Sequence, residues 1–127
     1  MELKEVDEIQ QHKNEYKSNL ETELYDDSYI TITNINLIIK RTTFPLLNKE
    51  IIPLSTIKKI EMDDLNFWTG KYRLWGLNFS LCWFHLDQDR CFKDKYIILT
   101  RNSIIKIALT PKDINLVYEL LKEHLKK

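Results

Sequence analysis

The chain has 127 residues, 43% apolar and 30% charged, with 19 basic and 19 acidic side chains in balance. That composition supplies one domain with a real core and an ordinary soluble surface, and no apolar run approaches the roughly 20 residues of a membrane-spanning helix. Two cysteines, Cys82 and Cys91, are too few for a disulfide framework or a four-ligand zinc site.

The start, "MELKEVDEIQ", is acidic and has no apolar segment of the secretory kind, so a cytoplasmic location is expected. Residues 1–27 hold three lysines against nine acids, and the remainder holds 16 basic residues against 10 acidic ones. An acidic leader of net charge −6 therefore precedes a domain of +6. Val6, Ile9, Lys13, Tyr16 and Leu20 recur at spacings of three and four, one narrow stripe of a helix. Residues 1–23 read as this helical leader, either solvated or folded against the basic domain of its own or a neighbouring copy; residues 24–127 form the domain.

From Ser28 the period becomes two. "SYITIT" sets Ile30 and Ile32 on one face of a strand. Asn34 and Asn36 mark a turn, and "LIIKRTTF", Leu37 to Phe44, returns as the next strand. "IIPL" follows as a short strand whose Pro53 points to an edge. "TIKKIEMD" then turns Ile60 and Met62 inward. "KYRLWGLNFSLCWFHL" alternates over a long span, and its register places Trp75, Leu77, Phe79, Leu81 and Trp83 in the core. "DQDR" makes a polar hairpin tip, with Cys82 and Cys91 facing each other across it as reduced thiols. "KYIILT" and "IIKIAL" complete about seven strands, with Ile105, Ile107 and Leu109 sharing one parity. In "TPKD" the Thr110 hydroxyl suits a helix N-cap and Pro111 the first helical position. Ile114, Val117, Leu121 and Leu125 then line one face of an amphipathic helix.

Strands followed by one terminal helix, together with "IIPLSTIKKIE", "KYRLWGLNF" and "IIKIALTPKDINLVYELL", resemble the bacterial pleckstrin-homology-like (PH-like) domains over Leu24 to Lys127. The resemblance implies a mainly β fold: a PH-like barrel or sandwich of about seven strands capped by the C-terminal helix. The chain departs from that pattern at Trp83 and Phe84, where a further glycine is usual. Its only glycines, Gly70 and Gly76, then fall at a loop needing positive φ and at a strand corner.

No catalytic set stands out. His12, His85 and His124 are far apart, no glycine-rich phosphate loop or nucleophile elbow occurs, and Asp87, Asp89 and His85 read as a solvated tip rather than metal ligands. The expectation is a non-catalytic interaction module with no cofactor and no metal. Trp68 lies in the polar stretch "DDLNFWTGK", where a ring beside Lys71, Tyr72 and Arg73 would anchor a protein partner or a second copy. The alternative is a membrane-surface module reading anionic lipid through Lys40, Arg41, Lys58 and Lys59. Basic residues are too scattered for nucleic acid.

Overall fold

The segments of period two fold as strands of two sheets, and the terminal segment of period 3.6 folds as a helix. The computed structural model describes residues 21–42, 48–66, 68–78 and 80–126; the expected leader helix lies almost wholly outside them. Among the described residues the order is β1 (Glu23–Asp26), β2 (Ile30–Thr33), β3 (Asn36–Ile39), β4 (Glu50–Pro53), β5 (Lys59–Asp64), β6 (Gly76–Leu77), β7 (Cys82–Phe84), β8 (Lys95–Thr100), β9 (Lys106–Leu109) and α1 (Ile114–Leu125). The chain is thus mainly β with one C-terminal helix.

β1 to β4 form an antiparallel meander in sequence order. Ile30 pairs with Ile39 and Ile32 with Leu37, and all four are buried. The Thr33 hydroxyl accepts the Asn36 amide at 2.9 Å and closes the β2 to β3 turn. β4 is an edge strand, as Pro53 requires, because proline has no amide to give to a further strand. β1 was not expected. It begins within the stretch assigned to the leader, and its ladder to β2 shifts register between Glu23 and Tyr25.

The second sheet has the order β5, β8, β9, β7, β6, with β7 parallel to β9 and the other neighbours antiparallel. Its interior strand β8, between β5 and β9, is buried on both faces, which explains the unbroken apolar run in "KYIILT". Ile97 and Leu99 join Ile107, Leu109, Ile60 and the isoleucines of the first sheet in one core that Val117 and Leu121 of α1 complete. Tyr96 and Ile98 face the other way, into a smaller cluster with Leu65, Cys82, Phe84 and Ala108.

Three local expectations are corrected. The long alternating span is not one strand but the hairpin β6 to β7. Asn78 donates its amide to the Cys82 carbonyl at 3.0 Å, its side-chain oxygen accepts the Ser80 and Cys82 amides, and Leu81 adopts φ +61°. The buried parity is the opposite of the expected one: Gly76, Asn78, Cys82 and Phe84 are buried, Trp75 and Trp83 only half-buried, and Leu77 and Leu81 exposed; Phe79 lies outside the described residues. Secondly, α1 is capped by Asp113, whose carboxylate accepts the Leu116 amide at 3.2 Å. Thr110 is buried and its hydroxyl donates to Asp87, so a tertiary bond took the group that local pattern assigned to the cap. Thirdly, Cys82 is buried while Cys91 sits on the short turn Arg90–Phe92, and both are free. β3 also ends at Ile39, earlier than expected, and Ile105 is exposed before β9 begins.

Both glycines have positive φ, +122° at Gly70 and +110° at Gly76. A methyl group on Gly70 would sit 2.9 Å from the Phe84 ring, whereas on Gly76 it would meet only an Arg73 nitrogen at 3.8 Å. Gly70→Ala is therefore expected to lower unfolding free energy by about 3 kcal/mol, through backbone strain plus overpacking. Gly76→Ala should lower it by about 1 kcal/mol, through strain alone. Urea denaturation of the two variants checks the difference; equal losses would show that the Phe84 contact carries no weight.

Candidate functional site

The polar stretch after β7 is not a solvated tip. His85, Asp87 and Arg90 are each only 1% exposed, and a buried charge requires partners. Arg90 finds them along the chain on both sides. Its Nη2 donates to the His85 carbonyl, its Nη1 to the carbonyls of Arg73 and Leu74 at 2.6 and 3.2 Å, and its Nε to the Thr110 hydroxyl at 3.2 Å. The guanidinium lies 4.8 Å from the centre of the Phe84 ring. Burial lowers the Arg90 pKa to about 10, with the Asp87 charge opposing the shift; the side chain stays cationic.

Asp87 supplies the counter-charge through shared neighbours. Its Oδ2 accepts from Lys93 Nζ at 2.6 Å and from the Thr110 hydroxyl, and its Oδ1 accepts the Asp89 amide at 2.8 Å. Burial would raise this carboxyl, but the Lys93 and Thr110 bonds and the Lys93 charge outweigh it and hold the pKa below the usual aspartate value. Lys93 also donates to the Thr110 carbonyl and stands 3.9 Å over the Tyr29 ring.

His85 completes the cluster in neutral form. Nε2 accepts the Thr110 amide at 3.0 Å, which fixes the proton on Nδ1, and Nδ1 faces the Leu86 carbonyl at 3.1 Å. Burial and then the Arg90 charge push its pKa down to about 4. With both ring nitrogens bound to backbone, this imidazole has no lone pair to offer a substrate. The cluster is a clamp, not a dyad.

What the clamp holds is the loop between β5 and β6. Asn66 winds its first part: its side-chain oxygen accepts the Trp68 and Thr69 amides, both at 3.0 Å, and its carbonyl accepts the Gly70 and Lys71 amides. Phe84 packs against Gly70, and Asn78 Nδ2 donates to the Thr69 carbonyl at 2.9 Å. Arg90 grips the far part at Arg73 and Leu74, and Asp87 donates its amide to Leu74 at 3.0 Å. The loop thereby presents Trp68, 70% exposed, and Tyr72, 68% exposed, on fixed backbone. Lys71 pairs with Asp94 at 3.7 Å and ties the loop to the turn bearing Phe92, which is 83% exposed.

The expected binding quartet therefore divides. Trp68 and Tyr72 face solvent, while Lys71 and Arg73 are half-buried, Lys71 in its ion pair and Arg73 with Nη1 close to Gly76. Phe92 lies in a three-residue turn with Arg90 facing inward, and its ring falls on the outer side. The alternative basic set is not gathered either. Lys40 and Arg41 follow the end of β3 that pairs with Glu50, whereas Lys58 and Lys59 follow β4 at its Pro53 end. Lys40 is bound to Asp26 and the Asp27 carbonyl, and Lys59 to Glu61.

Among the described residues no helix is long and apolar enough to cross a membrane, and no three His, Cys, Asp or Glu side chains are placed to hold a metal ion. Comparison with protein families, characterised proteins and solved structures gives no match to this chain.

The clamp makes a pH signature. His85 has a folded pKa near 4 against an ordinary 6.5, so the unfolded chain takes up its proton first as pH falls. The stability His85 contributes is complete above pH 6.5 and is lost between there and 4, by about 3 kcal/mol at most. Asp87, with its lowered pKa, adds a loss only below the ordinary aspartate range. His85→Gln should flatten the upper part of the wild-type curve; urea midpoints from pH 7.5 to 4 measure it, and parallel curves would count against a neutral, clamped His85.

Proposed function

We propose that the chain is a non-catalytic protein-interaction module of PH-like fold whose docking surface is the aromatic face of Trp68, Tyr72 and Phe92, and that its partner is a second copy of itself. The observation that carries the reading is the exposure of three large rings on backbone held from inside by Arg90 and from outside by the Lys71 to Asp94 pair. Rings carried on held backbone leave less backbone freedom to lose on binding, and Trp and Tyr are among the residues most often dominant in interfaces.

The PH-like assignment is supported by the element order. A four-stranded meander is followed by the antiparallel strands β5, β8 and β9 and the closing helix, with the β6 to β7 hairpin inserted between β5 and β8. Self-association is supported by the opposed charges of residues 1–27 and the rest of the chain, −6 and +6, which make one copy complementary to another.

Light scattering of the full chain across concentration and salt tests this. The wild type should associate, more weakly at high salt. Trp68→Ala and Tyr72→Ala should each weaken association by about 2 kcal/mol, roughly 30-fold, with far-UV circular dichroism unchanged. A wild type that remains monomeric throughout would overturn the self-association reading, and variants that associate as tightly as the wild type would remove the aromatic face from it.

A further inference from the structure

At the opposite side of the sheets from the clamp, two connections meet: the turn between β4 and β5 and the loop between β8 and β9. The Lys58 amide joins them by donating to the Thr100 carbonyl at 2.7 Å. Between them lies a pocket of about 460 Å³ lined by Ser55, Thr56, Lys58, Arg101, Asn102 and Ser103. Its lining holds two cations and no carboxylate. By contrast, the pocket beside Tyr29 includes Asp89, and the groove beside Phe92 includes Asp94.

Among the described residues neither Lys58 nor Arg101 takes part in an ion pair. Arg101 Nε, like Arg73 Nε in the β5 to β6 loop, is enclosed and has no hydrogen-bond partner among the described residues. The hydroxyls divide by role. Thr56 donates to the Pro53 carbonyl at 2.7 Å and has no proton left to give. Ser103 accepts the Ile105 amide at 3.3 Å and keeps its own proton free.

From this arrangement we infer that the pocket binds the phosphoryl group of a phosphomonoester, a function separate from the aromatic docking face. The match is in charge and donor count. A phosphomonoester dianion carries close to two charges and three terminal oxygens, against one guanidinium fork, one ammonium, free hydroxyls and the Asn102 amide. Arginine suits the planar, forked part of such a contact and lysine the point charge. A carboxylate ligand would leave half of these donors idle. The group can reach the pocket on a soluble molecule or as a lipid headgroup, since Ile104, 80% exposed, stands beside Ser103 at the rim.

The test uses the full chain, labelled with nitrogen-15, titrated with phenyl phosphate, with methyl sulfate at matched ionic strength as control. Saturable shifts are expected at the Ser55, Thr56, Lys58, Asn102 and Ser103 amides, with affinity about tenfold lower in both Lys58→Gln and Arg101→Gln. Lys58 is exposed, so its variant keeps the test valid if the Arg101 variant fails to fold. Shifts that never saturate, or equal affinity in wild type and Lys58→Gln, overturn the inference. Sedimentation with phosphatidylcholine vesicles, with and without phosphatidic acid, then separates the sources. Co-sedimentation that needs phosphatidic acid and is displaced by phenyl phosphate assigns the group to lipid. Saturable phenyl phosphate binding without co-sedimentation assigns it to a soluble molecule. Co-sedimentation without any saturable phenyl phosphate binding overturns the inference.

Discussion

One buried cation organises the half of this molecule that the sheets cannot organise themselves. The sheets close their own hydrogen bonds and share a core, but the loop between β5 and β6 has carbonyls at Arg73 and Leu74 that point inward with no ladder partner. Arg90 satisfies both, together with the His85 carbonyl, from a single planar group. A guanidinium suits this position better than an ammonium, because its five donors lie in fixed directions and it is less strongly hydrated. The Phe84 ring beneath it and the Asp87 carboxylate beyond Thr110 make its burial tolerable. Take the charge away and the Arg73 and His85 carbonyls lose their Arg90 donor in a dry interior, while Leu74 keeps only the Asp87 amide.

The same network sets where the helix starts. Thr110 follows β9 with its amide, hydroxyl and carbonyl all engaged by His85, Asp87, Arg90 and Lys93. The chain therefore passes through Pro111 and Lys112 outside the helix before Asp113 caps α1. Asp27 supports this lead-in from the other sheet, accepting the Lys112 amide at 2.9 Å and the Tyr25 hydroxyl at 2.6 Å, while Tyr25 accepts the Asp113 amide. Burial and the Asp27 bond raise the Tyr25 pKa to about 12, so its hydroxyl remains a donor at any physiological pH. The clamp under the aromatic loop and the seat of the helix are two ends of one polar system.

How much of this was legible in the sequence depended on whether its cause was local. The alternation of Ile30 and Ile32, the edge position of Pro53, the unbroken run in β8 and the stripe of α1 are read directly, because burial of one face or two dictates them. Trp68 was legible as a surface ring because it sits among polar and turn-forming residues. The span from Lys71 to Leu86 was not. Parity held across the Asn78 turn, but side-chain size pointed to the wrong face: the buried positions Gly76, Asn78, Cys82 and Phe84 share the parity opposite to Trp75, Leu77, Leu81 and Trp83. His85, Asp87 and Arg90 looked solvated because charged residues usually are; their partner Thr110 lies 20 or more positions away, and no local pattern announces it. Thr110 itself was misplaced for the complementary reason, since threonine before proline is a good cap only when nothing more distant claims its hydroxyl.

The borders of the two sheets bear on how copies of this protein can meet. β1 begins with a register shift and carries Glu23 and Asp26, β4 ends in proline, β5 carries Lys59, Glu61, Asp63 and Asp64, and β6 is two residues long. Each of these features discourages a foreign strand from continuing the ladder. Backbone zippering into filaments is thereby suppressed at every open margin, and recognition is left to side chains standing on the faces and loops, where a contact can be specific and can be released.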